Sequence, residues 1–211
     1  MAYSNAKLVL DNQTIDIPLA TGTDGSQALD INELREKTGL LAYDRTLNNT
    51  AIAKSAITWI DSKNGKLLYR GINIQDLVDN STFVETSYLL SFGVLPDEEQ
   101  LRTYSNSLSK HSMIHESMRN FFDAFRGAAN PLAILTTMVT ALSSYYPLSY
   151  ETHFEKGIDI KTRLLAKVRT LAAWSYKKSI GQPFMYPIDE LPYCQNFLNM
   201  MFAVPAEQYM V

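Results

Sequence analysis

The sequence predicts a mainly α-helical protein, with a large helical domain over residues 71–211 preceded by a small β-rich domain over residues 1–70. Three observations predict it. Short runs of alternating apolar and polar residues dominate the first seventy positions, helical periodicity takes over from Ile74 onward, and Gly-Pro punctuation is sparse, with 9 Gly and 8 Pro in 211 residues. A chain that is 46% hydrophobic and 19% charged buries a sizeable core.

The β-rich start is read from its turns. Residues 7–10 and 14–17 alternate on either side of Asp11-Asn12, a hairpin signal. Residues 30–37 suit a short helix before Gly39, and strand-like residues 55–60 and 67–69 flank the turn pair Asn64-Gly65. The helical part is read from its caps. Thr82 followed by Glu85 forms a capping box, opening a helix that reaches Phe92 and stops at Gly93. Asp97, Glu98 and Glu99 place acid on the first turn of the next helix, where the macrodipole favours it, and Leu101, Tyr104, Leu108 and His111 share one of its faces. Further helices are predicted over residues 116–125, 131–144, 161–178 and 193–202. Pro131 suits a first helical position, Lys177 and Lys178 suit a C-terminus, and Gly181 with Pro183 stops that helix. The run Phe197-Leu-Asn-Met-Met-Phe202 is apolar all round, which calls for burial against neighbouring helices.

Charge and cysteine usage exclude several classes of function. With 19 basic and 22 acidic side chains and no run of like charge, neither a nucleic-acid groove nor a polybasic membrane surface is indicated. No window reaches the roughly 18 apolar residues that a membrane helix requires, and the first ten residues lack the pattern of a secretory signal. Cys194 is the only cysteine, so an internal disulfide is excluded and a reducing, cytoplasmic compartment is expected.

Motif logic alone finds no active site. The histidines are His111, His115 and His153; the first two stand at an i, i+4 spacing that metal sites use, but the order matches no zinc-protease pattern and no third ligand is evident, so helix-end histidines are the plainer reading and no metal is expected. Cys194 beside an apolar run reads as an inert thiol. Arg163 and Lys167 are more suggestive. They lie four apart on a predicted helix near Lys161 and Arg169, with no acid over residues 160–178, and like charges at this spacing destabilise an isolated helix by a few tenths of a kcal/mol. Either an anion faces them or water solvates the face.

Several stretches, in order along the chain, resemble segments of citrate synthases from Gram-negative bacteria. They are Ser55-Ala-Ile-Thr-Trp-Ile-Asp61, Leu67-Leu-Tyr-Arg-Gly71, Lys110-His-Ser-Met-Ile-His-Glu116, Phe122-Asp-Ala-Phe-Arg126, residues 176–187 and Asn196-Phe-Leu-Asn-Met-Met-Phe202. The resemblance implies the helical citrate synthase fold, here its amino-terminal half, behind the small β-rich domain of the bacterial form. It also implies condensation of acetyl-CoA with oxaloacetate by acid/base chemistry around a developing oxyanion, in a homo-oligomer, dimer or hexamer. The family's catalytic histidines, aspartate and arginines have no matching position, so no catalytic residue is assigned and the chain alone is expected to be inactive and prone to aggregate. A 2-methylcitrate synthase, which takes propionyl-CoA, and a non-catalytic NADH-binding or assembly fragment are the alternatives.

The resemblance carries a second site. In hexameric enzymes of this type NADH binds as an allosteric inhibitor at a patch that maps onto Lys110, His111, Ser112, Met113, Tyr146, Arg163 and Lys167. Cations and a histidine suit a diphosphate, and Tyr146 could pack on a ring. Lys110 replaces an arginine, Ser112 a threonine, and Ala206 stands where inhibited enzymes have a reactive cysteine; Tyr145 competes for the aromatic role.

Overall fold

The computed structural model describes residues 5–146, 160–207 and 209, and divides into two compact units, one up to Ala56 and one from Ile57. In the first unit β1 (Asn5–Leu10) and β2 (Gln13–Thr21) form an antiparallel hairpin whose register closes at Leu10 opposite Gln13, leaving Asp11-Asn12 as the turn. A third strand, β3 (Gln27–Leu29), pairs with the far end of β2, and α1 (Leu34–Thr38) ends at Gly39, whose φ of 75° places it in the left-handed region that glycine adopts without penalty. Among the described residues of this unit, Ile17 is the one that is buried.

The second unit begins with the sheet β4 (Thr58–Asp61), β5 (Lys66–Tyr69), β6 (Ile72–Asn73), paired in that order and antiparallel. The compact units part after Ala56, and this sheet is tied to the helices that follow it. Strand β6 runs directly into α2 (Ile74–Asn80), and the Arg70 guanidinium donates to the Leu90 carbonyl at 2.8 Å.

The capping box at Thr82 forms as its residues require. The Thr82 hydroxyl oxygen accepts from the Glu85 N–H at 3.2 Å, while the Glu85 carboxylate accepts from the Thr82 hydroxyl and from the Thr82 N–H, each at 2.7 Å, and these two bonds to the carboxylate hold it below its ordinary range. It opens α3 (Phe83–Phe92), which Gly93 closes with φ 91°. Thr82→Ala is expected to lower stability by about 1 kcal/mol in urea unfolding, the usual worth of such a cap. A second box, Asp97 with Gln100, opens α4 (Glu98–Lys110), and Tyr104 and Leu108 form the buried face of that helix.

Beyond α4 the chain makes a single 3₁₀ turn (Glu116–Met118) and α5 (Arg119–Asp123), so the one helix expected over residues 116–125 is two shorter pieces. Then come α6 (Pro131–Tyr145), α7 (Ile160–Ser179) and α8 (Tyr193–Phe202). Helix α7 is the axis of the unit and packs against α4, α6 and α8. The main core gathers Ile114, Met118, Phe122, Ile134, Met138, Leu142, Leu171 and Trp174 between α7, α6 and the 114–122 connection. Trp174 lies 1% exposed, stacked on Phe184 with ring centroids 4.7 Å apart, and donates its indole N–H to the Met185 carbonyl at 2.8 Å.

Helix α8 departs from its apolar reading. Its buried residues are Asn196, Asn199 and Met200, and Phe202 is exposed. The Asn196 amide turns inward because it bridges the backbone of Ile188, accepting from its N–H at 3.1 Å and donating to its carbonyl at 2.6 Å. Among the described residues no helix is long and apolar enough to cross a membrane.

Candidate functional site

The residues singled out by charge and spacing converge where the C-terminal end of α4, the end of α6 and the first half of α7 meet. His111 is the residue at which α4 ends, with φ −98° and ψ 8°, so the helix does not continue to His115. The Ser112 side chain contributes to the stop by donating to the Leu108 carbonyl at 2.8 Å, the local bond by which serine competes with helix propagation. His115 instead opens the 3₁₀ turn, its Nδ1 accepting from the Ser117 N–H at 3.2 Å. The two imidazoles therefore belong to different helix ends rather than one face, and no group of three metal-ligating side chains occurs among the described residues. His153 lies outside the described residues.

The basic face of α7 is solvated only in part: Lys161 is exposed and Arg163 half-buried, but the other two cations, Lys167 and Arg169, are not. Lys167 is 5% exposed and Arg169 4%. The Lys167 ammonium donates to the His111 carbonyl at 3.2 Å and the Met113 carbonyl at 2.5 Å, and lies 4.1 Å from the centroid of the Tyr146 ring. The His111 carbonyl lies at the negative C-terminal end of α4, where a cation is favoured, and the Met113 carbonyl lies two residues beyond it. Arg169 donates to the Ser112 hydroxyl and to the Tyr193 carbonyl at 2.9 Å, with its guanidinium 4.3 Å from the Tyr193 ring centroid; Thr170 completes the set by donating to the Ser112 carbonyl at 2.8 Å. Helix α7 thus grips residues 111–113 through each successive carbonyl. Further along, buried Lys177 does the same for α8, donating to the Ala203 carbonyl at 2.6 Å.

Electrostatics follow from this burial. Removal from water pushes the Lys167 ammonium down to about 8, and Arg163 on the preceding turn adds to the effect. His111 is also pushed down, first by burial and then by Arg163, Lys167 and Lys110. Burial pushes the Tyr146 phenol up, against the opposing influence of the His115 backbone N–H and Arg163. The cluster is cationic at neutral pH through Lys110, Arg163 and Lys167, and no carboxylate among the described residues forms an ion pair with it. Lys110 and Met113 are exposed and Arg163 is half-buried, so the cluster has a solvent-facing side.

The seven residues of the patch do not all point one way. Ser112 is fully buried and occupied by Leu108 and Arg169, and Lys167 is already engaged by backbone carbonyls. Of the two tyrosines, Tyr146 faces Lys167, while Tyr145 packs on His115 and Phe121 with ring centroids 5.0 and 6.2 Å away. Arg169 and Thr170, which spacing alone did not single out as site residues, do as much as Lys167 to fix the 111–113 segment; an i, i+2, i+3 group of donors on one helix is the signal that could have pointed to them. Ala206 is exposed, beyond the end of α8.

Comparison with known proteins agrees with this architecture. The sequence profile of the family described as "Citrate synthase, C-terminal domain" matches residues 46–210. "Citrate synthase 1" of Mycobacterium tuberculosis, in strains CDC 1551 / Oshkosh and H37Rv alike, is 43% identical over 196 residues, covering 92% of this chain and 46% of that protein. The chain therefore spans about half the length of these relatives. Among solved structures, the citrate synthase of Thermotoga maritima superposes with a TM-score of 0.63 at 24% identity, over 76% of this chain and 42% of that one. A ternary complex of carboxymethyl coenzyme A and oxaloacetate with the citrate synthase of Thermoplasma acidophilum gives 0.68 at 22% identity, over 76% of this chain and 42% of that one. The Pyrobaculum aerophilum citrate synthase gives 0.59 at 25% identity, over 87% and 44%. With more than three-quarters of its length inside the family profile, this chain belongs to the citrate synthase family.

Proposed function

We propose that the chain is part of an acyltransferase that condenses acetyl-CoA and oxaloacetate, with water, to citrate and CoA. The observation that carries this reading is the family match over residues 46–210, joined by the likeness of fold to an enzyme held in complex with a CoA analogue and oxaloacetate. The groups that perform the condensation are taken to lie outside the 211 residues. Expressed at whatever length its gene encodes, the protein is expected to release CoA thiol from acetyl-CoA only when oxaloacetate is present, and the 211-residue chain alone to release none. Faster release from propionyl-CoA would move the assignment to a 2-methylcitrate synthase. Turnover by the chain alone would overturn the placement of the catalytic groups.

A regulatory reading is favoured by a specific observation, the convergence of Lys110, Arg163 and Lys167 on one corner with Tyr146 beside them. It makes the protein a homo-oligomer of the NADH-inhibited, hexameric type, with the diphosphate against Lys110 and Arg163, the two cations with free reach to solvent. NADH is then expected to bind saturably, followed by its fluorescence, and Arg163→Ala to weaken binding at least tenfold, the worth of one charge-assisted phosphate contact of about 1.4 kcal/mol or more. Binding that ignores the substitution removes the patch as its seat.

A further inference from the structure

We infer that Lys167 makes the junction of α4 and α7 a pH-sensitive latch, in which the protonated lysine favours detachment of residues 111–113 and the neutral lysine favours their docking. The geometry carries the inference. The Lys167 side chain is nearly sealed from water, and its partners are the neutral His111 and Met113 carbonyls and the Tyr146 ring. The titratable and charged groups facing it among the described residues are Arg163 on its own helix, Lys110 and His111 at the end of α4, and Tyr146 at the end of α6. All of these are cationic or neutral at physiological pH. A buried ammonium compensated by dipoles and crowded by like charge bears a desolvation cost that neutral partners only partly offset.

The sign of the response follows from that cost. Docked, the lysine holds its proton poorly; detached, with Lys167 in water, it holds its proton as an ordinary lysine does. Raising the pH therefore removes the reason to detach. A neutral amine keeps two N–H donors for the two carbonyls, so docking survives the loss of charge. Arg169 and Thr170 grip the same segment through Ser112 without titrating in this range, which confines the response to Lys167. This inference stands whether or not a nucleotide binds the corner.

Trypsin reads the latch directly, because Lys110 is exposed and the Lys110-His111 bond lies at its edge. Cutting there requires the segment to detach, and its rate follows the population of the open form when reclosing is fast. The cut after exposed Lys54, in a segment without regular structure, corrects for the enzyme's own pH profile. Between pH 7 and 9.5 the ratio of cutting after Lys110 to cutting after Lys54 is expected to fall by at least about tenfold, as linkage to a buried lysine of this kind predicts. In Lys167→Met the ratio is expected not to vary with pH, and in Lys167→Arg, which stays charged, to remain high. The unmodified protein decides the matter even where a variant fails to fold: a ratio that is flat or rises with pH overturns the inference.

Discussion

Trp174→Ala is expected to lower the stability of the helical unit by about 3–5 kcal/mol, the range for truncating a fully buried large aromatic. Three effects add. The indole is enclosed by Phe122, Phe184 and Tyr186, with ring centroids 5.8, 4.7 and 5.2 Å away, and the structure around a lost indole collapses only in part. The Met185 carbonyl loses its donor. The segment after α7 then loses its attachment, since Phe184 and Tyr186 are held against α7 by this ring. Tyr186 also donates to the Glu116 carboxylate at 2.9 Å, so the 3₁₀ turn loosens with it. Trp174→Phe separates these effects: it keeps most of the packing and gives up the N–H, and is expected to cost less than half as much. Urea unfolding followed by far-UV circular dichroism measures both. Equal losses for the two variants would place the stabilisation in the hydrogen bond rather than in packing.

Much of this fold is legible residue by residue, and the failures share a cause. Local signals were sufficient wherever the structure is local: the Asp11-Asn12 turn, the capping box at Thr82, the stop at Gly93 and the span of α8 all match what their residues dictate. Strands β3 and β6 are three and two residues long, too short to show a period, and exist because a neighbouring strand offers a free edge. The end of α4 at His111 agrees with the sequence, but the bend of residues 111–113 is held by tertiary grip from Arg169 and Thr170, which no local signal shows. The basic face of α7 misleads most. Pattern offers a facing anion or water as the two ways to satisfy like charges four apart. The structure uses a third, the carbonyl ends of other helices, which have no signature in sequence because the partners are distant backbone atoms. The same device recurs at Lys177 with the end of α8, so Lys167, which spacing marks for ligand binding, serves first to order its neighbours.

That division of labour has a thermodynamic consequence at Lys167. Its ammonium is pushed down to about 8 from an ordinary value of 10.5. Below pH 8 both folded and unfolded chains carry the proton, and the folded state bears the full cost of burying it, about 3 kcal/mol at roughly 1.4 kcal/mol per unit. Between pH 8 and 10.5 the unfolded chain still binds the proton while the folded chain does not, so stability rises with pH; above 10.5 the cost is gone. Lys177, also pushed down by burial, contributes with the same sign. Tyrosines oppose it. Tyr193, pushed up to about 12, and Tyr146 keep their protons longer in the folded state, so stability falls again once unfolded tyrosines ionise near pH 10. The difference between the unmodified protein and Lys167→Met cancels these shared contributions. That difference is expected to shift by about 2–3 kcal/mol in favour of the unmodified protein between pH 7 and 10, in urea titrations run at each pH. A difference that does not vary with pH would mean that Lys167 reaches water as readily in the folded chain as in the unfolded one, and that its bonds to His111 and Met113 form only part of the time.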